Sequence, residues 1–261
     1  MSKLQRSSVH VPWLRTNPFV WSVTALLLLA YGLPYAQPLF AALFPALQRP
    51  LYLQEPMAVL MWQHMGLVLV SSSIAVTFAT VAGLICNTAP GQALKPMMES
   101  MAAMGQTFPP VAVLAVAVPV FGFGELPALV ALSIFGVLPV LQATLAGLAS
   151  VPQAVLDSAR AMGMAPRHIL TEVQIPLALP VWLAGVRTSV IVNISTAAIA
   201  STVGAKTLGL PILVGLSGFN AAYVLQGAMM VALLAIAADL GFDRLAKSLQ
   251  GNGAASANNQ P

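Results

Sequence analysis

Charged side chains are scarce in this chain. Asp, Glu, Lys and Arg together make up 7% of its 261 residues, whereas 58% of the residues are hydrophobic. An average soluble domain has about 25% charged residues, and so few polar side chains would not cover the surface of a soluble globule of this size. The high mean hydropathy of +0.86 also excludes a disordered chain. We therefore predict an integral membrane protein.

Cysteine and histidine are also rare, which limits the chemistry that the chain can perform. The one cysteine, Cys86, excludes a disulfide scaffold, and His10, His64 and His168 lie too far apart in sequence for a metal-ligand spacing. The sequence contains no G-x-x-x-x-G-K-S/T phosphate loop and no set of residues typical of a nucleophilic enzyme. We predict no catalytic residues, no metal site and no cofactor in this chain.

The basic residues are too dispersed for a nucleic-acid partner. Eleven Lys and Arg against seven acidic residues give a net charge of +4, but the basic residues occur singly. A nucleic-acid surface needs a stripe or patch of them. In a membrane protein the same excess is expected from the cytoplasmic loops.

Six stretches are long and apolar enough to cross a bilayer, since a helix needs about 20 residues to span roughly 30 Å of hydrocarbon. We place these spans at 18–38, 64–86, 103–122, 127–148, 182–204 and 221–240. They predict an all-α membrane protein with a cytoplasmic tail over 1–17, a membrane domain over 18–245 and a disordered cytoplasmic tail over 246–261. For the first span a cleaved signal peptide is the alternative, because basic residues precede its apolar stretch.

The basic residues also predict the orientation of the spans. A cytoplasmic N-terminus places two basic residues outside, Arg49 and Lys206, and Arg187 within or near the fifth span. It places these eight inside: Lys3, Arg6, Arg15, Lys95, Arg160, Arg167, Arg244 and Lys247. Because cytoplasmic loops carry the excess of Lys and Arg, we predict that both termini are cytoplasmic.

Polar residues within the third and fifth spans identify candidates for a solute path. Such residues in a membrane helix favour close helix packing and hydrogen bonds between helices, and plain packing is the alternative explanation for each. Our candidates for the path are Gln106, Asn193, Ser195 and Thr196. The seven acidic residues all fall in loops or near span ends, so the mid-membrane carboxylate of many ion-driven carriers is missing.

Arg187 is the basic residue that falls within or near a span. If its helix begins near Pro180, it lies about 10 Å along the axis. Its side chain then either snorkels to the cytoplasmic interface or pairs with Glu99, at the start of the third span, to form a gate.

The most informative segment is the cytoplasmic stretch between spans four and five. Ser150 and Gln153 have the spacing of a capping box, and Gly163 is placed to cap the C-terminus of a short helix. A second short helix is expected to begin at Pro166 and to end before Pro176. The first helix has an apolar face formed by Val151, Ala154, Val155, Ala159 and Met162. An interfacial helix on lipid is the alternative, but the small alanines favour a groove in a protein partner.

This segment resembles the EAA loop of ABC-importer permeases, E-A-A-x3-G-x9-I-x-L-P. The resemblance is carried by Asp157-Ser-Ala159, Gly163, Ile175-Pro-Leu177 and Pro180, with Asp in place of Glu, Ser in place of the first Ala, and Pro176 inside the last part. The flanking motifs are similar to the glycine betaine/choline/carnitine osmoprotectant branch, and the resemblance covers about residues 60–245. These motifs are Gln106-Thr-Phe-Pro109, Gly185-Val-Arg-Thr188, Ala197-Ala-Ile-Ala-Ser-Thr-Val-Gly204 and Leu208-Gly209.

The resemblance implies a type I ABC-importer permease bundle of about six helices in the bacterial inner membrane. Its loop over 150–180 is then a coupling helix that docks into ABC ATPase subunits, which bind ATP and Mg²⁺. The other implied partners are a second permease copy, in a homodimer or heterodimer, and a periplasmic or lipid-anchored substrate-binding protein. The implied coupling residues are Asp157, Ala159, Arg160, Met162 and Gly163.

The function expected from this resemblance is ATP-driven import of an osmoprotectant such as glycine betaine or choline. The alternatives are an importer of another small solute, such as an amino acid or a sulfonate, and a secondary carrier that needs no ATPase.

Overall fold

The computed structural model describes residues 17–88 and 90–257, and within these ranges the chain is almost entirely helical. The α-helices, in chain order, are α1 (Pro18–Gly32), α2 (Gln37–Leu43), α3 (Met57–Cys86), α4 (Lys95–Thr107), α5 (Pro110–Phe121), α6 (Glu125–Ala149), α7 (Gln153–Ala161), α8 (Pro166–His168), α9 (Ile175–Ala197), α10 (Leu210–Ser217) and α11 (Ala221–Ala257). Short 3-10 segments occupy Leu33–Ala36, Gln92–Leu94 and Ile199–Val203, and a π-helical segment occupies Ile169–Gln174. The described residues contain no strand, which confirms the predicted all-α class.

Five helical stretches are long and apolar enough to cross a membrane, and a bent pair of helices makes a sixth. The five are Pro18–Leu43, Met57–Cys86, Glu125–Ala149, Pro166–Ala197 and Ala221–Leu249. The predicted count of about six spans is therefore confirmed when the bent pair is counted as one.

The third predicted span, 103–122, is not one straight helix. It falls on α4 and α5, whose axes differ by 94° across the break at Phe108 and Pro109. A residue before proline is pushed into extended backbone, and Phe108 and Pro109 both have a ψ of 135°. Two successive prolines therefore break the predicted span in its first third.

The fifth predicted span, 182–204, begins earlier than expected, and its α-helix gives way to a 3-10 segment before the predicted end. Helical structure starts at Pro166 and continues through Pro176 and Pro180 to Ala197, where a 3-10 segment leads to Gly204. Gly204 has a φ of 87°, and this left-handed conformation ends the helical path.

The tails differ from the prediction in part. The helix α11 continues to Ala257, so residues 246–257 are helical where their composition predicted disorder. Residues 1–16 and 258–261 lie outside the described residues, and so does nearly all of the predicted N-terminal tail over 1–17.

The core is built around α6, which packs against both α3 and α9, while α11 packs against α9, α10 and α1. Small residues permit the close approach of the three central helices. A Cβ at Gly136 would stand 2.8 Å from the Cβ of Ala75 on α3, and one at Gly185 would stand 2.2 Å from the Cβ of Ala143 on α6. Glycine is therefore required at these two crossings.

The bundle has two ends, which we name the loop end and the hairpin end. The loop end contains residues 150–175, and there Asn87 donates to the side chain of Gln174 at 3.4 Å. The hairpin end contains the turn between α10 and α11, where the Asn220 side chain donates to the carbonyl oxygen of Arg49 at 2.9 Å. The Lys206–Glu55 ion pair, at 2.7 Å, also lies at the hairpin end.

The segment 44–56, between α2 and α3, is fastened to α11 by one buried amide. The Oε1 atom of Gln226 accepts from the backbone N–H of Tyr52 at 3.0 Å, and its Nε2 donates to the Pro50 carbonyl at 2.7 Å. The Tyr52 ring packs edge-on against Tyr223 at 5.4 Å. These contacts hold the segment 44–56 against α11 at the hairpin end.

Candidate functional site

The helix α7 lies at the loop end, but the predicted capping box does not form. The Ser150 hydroxyl donates backward to the Gly147 carbonyl of α6, at 2.7 Å, instead of capping α7. The N-cap of α7 is Pro152, with no side-chain cap, and Gln153 donates to Asp157 at 3.0 Å. The α6 helix is close enough to satisfy Ser150, so the sequence pattern of a capping box is misleading here.

The inward face of α7 binds the helix to the segment that follows it. Leu156 and Ala159 are buried against Ile169, together with Val151. Ala159 is only 2% exposed. The expected contact of Ala159 with an outside partner is therefore wrong for this conformation, because its side chain faces the π-helical segment.

The outward face of α7 carries the remaining candidates. Met162 is 75% exposed and Val155 is 39% exposed, so apolar surface is left uncovered on this side. Asp157 and Arg160 form an exposed ion pair at 2.8 Å. These four side chains are available to a partner, whereas Ala159 is not.

Gly163 ends α7 in the predicted left-handed conformation, with a φ of 79°. Its N–H donates to the Arg160 carbonyl at 2.9 Å, and the N–H of Met164 donates to the Ala159 carbonyl at 3.2 Å. These are capping bonds that satisfy the carbonyls at a helix end. The predicted cap is confirmed.

The second short helix does not stop before Pro176. The chain instead passes from α8 through the π-helical segment Ile169–Gln174 directly into α9. The wider π turn immediately precedes Pro176, whose ring and missing N–H are poorly tolerated inside a regular α-helix. Residues Pro166–Ala197 therefore form one continuous helical element.

Counting along the chain also changes the alignment with the EAA pattern. After the nine residues that follow Gly163, the I-x-L-P part falls on Val173, Gln174, Ile175 and Pro176. Pro176, not Pro180, then occupies the position of the pattern's proline, at the start of α9.

Arg187 pairs with Asp239 on α11 and not with Glu99. The Nε and Nη2 atoms of Arg187 both lie 2.6 Å from Oδ1 of Asp239. Glu99 is half-buried on α4. The Arg187–Glu99 pair, the alternative to snorkelling, is therefore not formed in this conformation, since α11 and not α4 presents a carboxylate to this arginine.

The four predicted path residues have different surroundings. Asn193 is fully buried and donates to the Ser72 hydroxyl of α3 at 3.0 Å, so it fastens two helices together and does not line a surface. Ser195 donates to the backbone of its own helix at 3.2 Å, and Thr196 is half-buried. Gln106 is exposed, and its amide donates to the Phe135 carbonyl at 2.8 Å.

Gln106 also lines an open groove between α4, α6 and α9, with a volume of about 510 Å³. The groove covers the halves of α6 and α9 that are nearer the loop end. Its lining contains two amides, one hydroxyl, alanines, one glycine and three apolar side chains: Gln106, Leu138, Pro139, Gln142, Ala143, Ala146, Val181, Ala184, Gly185 and Thr188. We name this surface the polar groove.

The polar groove differs from the rest of the membrane surface. Large apolar side chains such as Leu69, Ile74 and Phe78 are at least half exposed on α3, as expected for contact with lipid. In contrast, Gln142 and Thr188 are exposed in the polar groove, and polar side chains on membrane helices face a bundle interior or a water-filled path. Sequence reasoning missed Gln142, although it is the one amide in the predicted fourth span.

Comparison with known proteins agrees with this architecture. Residues 79–251 match the family described as "Binding-protein-dependent transport system inner membrane component". The chain is 38% identical, over 62% of its length and 77% of the relative's, to the Bacillus subtilis glycine betaine/carnitine/choline transport system permease protein OpuCB. It is 34% identical, over 72% of its length and 89% of the relative's, to the Salmonella typhimurium osmoprotectant import permease protein OsmW.

The fold is also found among solved structures. A chain of the inward-facing MetNI methionine ABC transporter superposes with a TM-score of 0.67 at 21% identity, covering 76% of this chain and 99% of that chain. The family match covers most of the chain, and the helices and the solved fold agree with it. The chain therefore belongs to the binding-protein-dependent transport system inner membrane components, as a multi-pass permease subunit of an ABC importer.

Proposed function

We propose that this permease subunit imports an osmoprotectant of the quaternary-amine type and is driven by ATPase subunits that dock at the loop end. The curated relatives are permeases for glycine betaine, carnitine and choline or for osmoprotectants, which supports this solute class. The outward face of α7 is the observation that carries the proposal, because it presents apolar surface next to a rigid connection to α9.

The orientation follows from the charges at the two ends. The loop end holds five basic residues, Lys95, Arg160, Arg167, Arg244 and Lys247, among the described residues. The hairpin end holds Arg49 and Lys206, and Lys206 is paired with Glu55. Because basic residues favour the cytoplasmic side, the loop end is cytoplasmic and so are both termini.

The coupling step is a rigid-body movement of α7. Leu156 and Ala159 pack against Ile169, and Ile169 belongs to the same continuous helix as α9. A force on Met162 and Val155 from an ATPase groove is therefore transmitted to α9 without an intervening flexible hinge. Bistable packed interfaces convert such small shifts into larger helix movements.

The polar groove is one wall of the solute path, and a second permease copy supplies the opposite wall. The groove carries neutral hydrogen-bonding groups, Gln106, Gln142 and Thr188, and its lining includes neither an aromatic nor a charged side chain. Quaternary ammonium groups are held tightly by aromatic cages. The path is therefore suited to weak, transient contacts, and a substrate-binding protein supplies the selectivity.

The decisive experiment reconstitutes the subunit into sealed vesicles with its ATPase and binding protein and measures uptake of radiolabelled glycine betaine. We expect uptake that requires ATP on the loop-end side and that unlabelled choline or carnitine inhibits. Uptake by the permease alone, without an ATPase, would contradict ATP-driven coupling. Inhibition by methionine but not by quaternary amines would contradict the solute assignment and leave the coupling intact.

A docking test addresses α7 directly. In a Cys86→Ala background, Met162→Cys is expected to cross-link to the ATPase subunit. The matched control, Leu156→Cys, lies on the buried face of the same helix and should not react. Equal cross-linking of both variants would contradict the proposed docking face.

A further inference from the structure

An apolar cleft lies where the coupling loop meets the membrane helices. It has a volume of about 180 Å³ and lies between α3, α6 and α9. Ile175, the first residue after the π-helical segment, forms part of its wall. Its lining residues are Thr80, Leu84, Thr144, Leu148, Ile175, Ala178, Leu179 and Trp182. We name it the Trp182 cleft.

The polar atoms beside this cleft already have partners within the protein. The indole N–H of Trp182 donates to the Thr80 hydroxyl at 2.9 Å, and the Thr144 hydroxyl donates to the Val140 carbonyl at 2.7 Å. The walls therefore present carbon atoms almost throughout. An apolar cavity of about 150 Å³ stays dry and accepts a benzene-sized ligand, since a buried water needs two to four polar partners. The chemistry of the walls thus selects an apolar occupant.

The surface around the cleft indicates where this occupant comes from. Val81 and Ile85 on α3 are 51% and 50% exposed, and Leu177 on α9 is 49% exposed. These large apolar side chains are continuous with the lipid-facing surface of α3. The polar groove, in contrast, lies on another face of α6 and α9 and has hydrogen-bonding groups. The mouth of the Trp182 cleft therefore opens to the hydrocarbon of the bilayer.

We propose that the Trp182 cleft binds the acyl chain of a membrane phospholipid, inserted between α3 and α9 at the root of the coupling loop. The chain fills space that the side chains leave empty and contacts the ring of Trp182. Because Leu84 of α3 and Leu179 of α9 both line the cleft, the lipid supports the packing of the first turns of α9. This inference depends only on the membrane location of the helices and not on the transported solute.

Trp182 itself reports on this site, because bromine atoms quench tryptophan fluorescence at short range. Replacement of Trp13, Trp21 and Trp62 by Phe leaves Trp182 as the single tryptophan of the full chain. This protein is reconstituted in phosphatidylcholine vesicles whose acyl chains are either unmodified or brominated at mid-chain. We expect brominated chains to quench most of the Trp182 emission.

Cavity-filling variants distinguish an acyl chain inserted into the Trp182 cleft from one that only contacts the rim of the cleft. Leu84→Phe and Leu179→Phe narrow the cleft from opposite sides and should each relieve most of the quenching. Leu177→Phe, the same substitution on the exposed surface of α9, should leave it unchanged. The two filling variants act on different helices, so a folding failure in one leaves the other as a test.

Two results would overturn the proposal. Absence of quenching in the single-tryptophan protein would show that a protein neighbour or nothing at all occupies the cleft. Equal quenching in the filled variants and in Leu177→Phe would show that the acyl chains contact Trp182 only from outside the cleft. Uptake measurements play no part in these outcomes, so failure here leaves the proposed transport function standing.

Discussion

Arg187 on α9 and Asp239 on α11 form an ion pair in which two guanidinium nitrogens lie 2.6 Å from one carboxylate oxygen. The pair joins α9 to α11, two helices that also pack against each other. Both side chains are only about one third exposed, at 35% and 39%. An ion pair in this position holds α9 and α11 in register, and each conformational change of α9 must preserve it or break it.

Removal of either partner is expected to impair transport. Arg187→Ala and Asp239→Ala should each lower uptake and thermal stability, because an unpaired charge remains between the helices. In a double-mutant cycle the coupling energy should be on the order of 1 kcal/mol, and the charge-swapped double variant should recover part of the uptake. Strictly additive effects on the melting temperature would show that the pair contributes nothing. Glu99→Ala is the matched control and should show no coupling to Arg187.

Gly163 is expected to tolerate asparagine but not valine. A Cβ at this position meets nothing within 4 Å, so the cost comes only from the left-handed backbone, roughly 1–2 kcal/mol for an ordinary residue. Gly163→Val should remain in the membrane but lose uptake and the stimulation of the ATPase. Gly163→Asn should keep most of both, because asparagine adopts this conformation readily. If the valine variant transports normally, the cap is not part of the coupling mechanism.

Cysteines placed in the polar groove should react with a water-soluble thiol reagent. In the Cys86→Ala background, we expect Gln142→Cys and Thr188→Cys to be modified at rates that change when ATP is added. Ser72→Cys, a buried position on α3 that is 4% exposed, is the control and should stay unmodified. Reaction of Gln142→Cys only with reagents dissolved in lipid would place the groove against the bilayer and not along a path.

Addition of a single methyl group should distinguish the crowded glycines from the open ones. A Cβ at Gly185 would lie 2.2 Å from the Cβ of Ala143 and 2.8 Å from the Pro139 carbonyl oxygen, so Gly185→Ala should cost about 1–3 kcal/mol by overpacking. Gly66→Ala, where nothing lies within 4 Å, should raise stability by up to about 1 kcal/mol because alanine favours the helix. Melting temperatures in detergent measure both effects. Equal destabilisation by the two variants would contradict the close crossing of α6 and α9.

Loss of the Gln226 amide is expected to lower the stability of the protein far more than loss of the Tyr52 hydroxyl. Gln226→Leu leaves the Tyr52 N–H and the Pro50 carbonyl buried without partners, and each such group costs about 1–3 kcal/mol. The Tyr52 hydroxyl has no hydrogen-bond partner, and burial, with the nearby Glu55 carboxylate, raises its pKa, so that it is neutral at physiological pH. Tyr52→Phe should therefore be neutral or slightly stabilising. A larger loss of melting temperature in Tyr52→Phe than in Gln226→Leu would contradict this account.

The errors in prediction share a cause, which is that local patterns were overruled by neighbouring helices. Ser150 has the sequence of an N-cap, but it bonds to α6 because that helix end is closer. Ala159 lies on the predicted apolar face, and yet Ile169 covers it. Asn193 was expected along a path because it is polar in an apolar span, whereas its amide nitrogen donates to the Ser72 hydroxyl of α3 inside the core. In each case a contact made within the fold replaced the partner that the local pattern suggested.

The sequence by itself determined the membrane class, the number of spans and the family. Charge-free runs of about 20 residues are long and apolar enough to cross a bilayer, and the glycine that ends α7 is a local requirement of the backbone. Only the tertiary structure decided that Arg187 meets Asp239 and which face of α7 is free, and it alone brought Gln142 and Thr188 into one groove. Helix pairing depends on which small residues let two backbones approach, and in this chain those residues are dispersed over α3, α6 and α9.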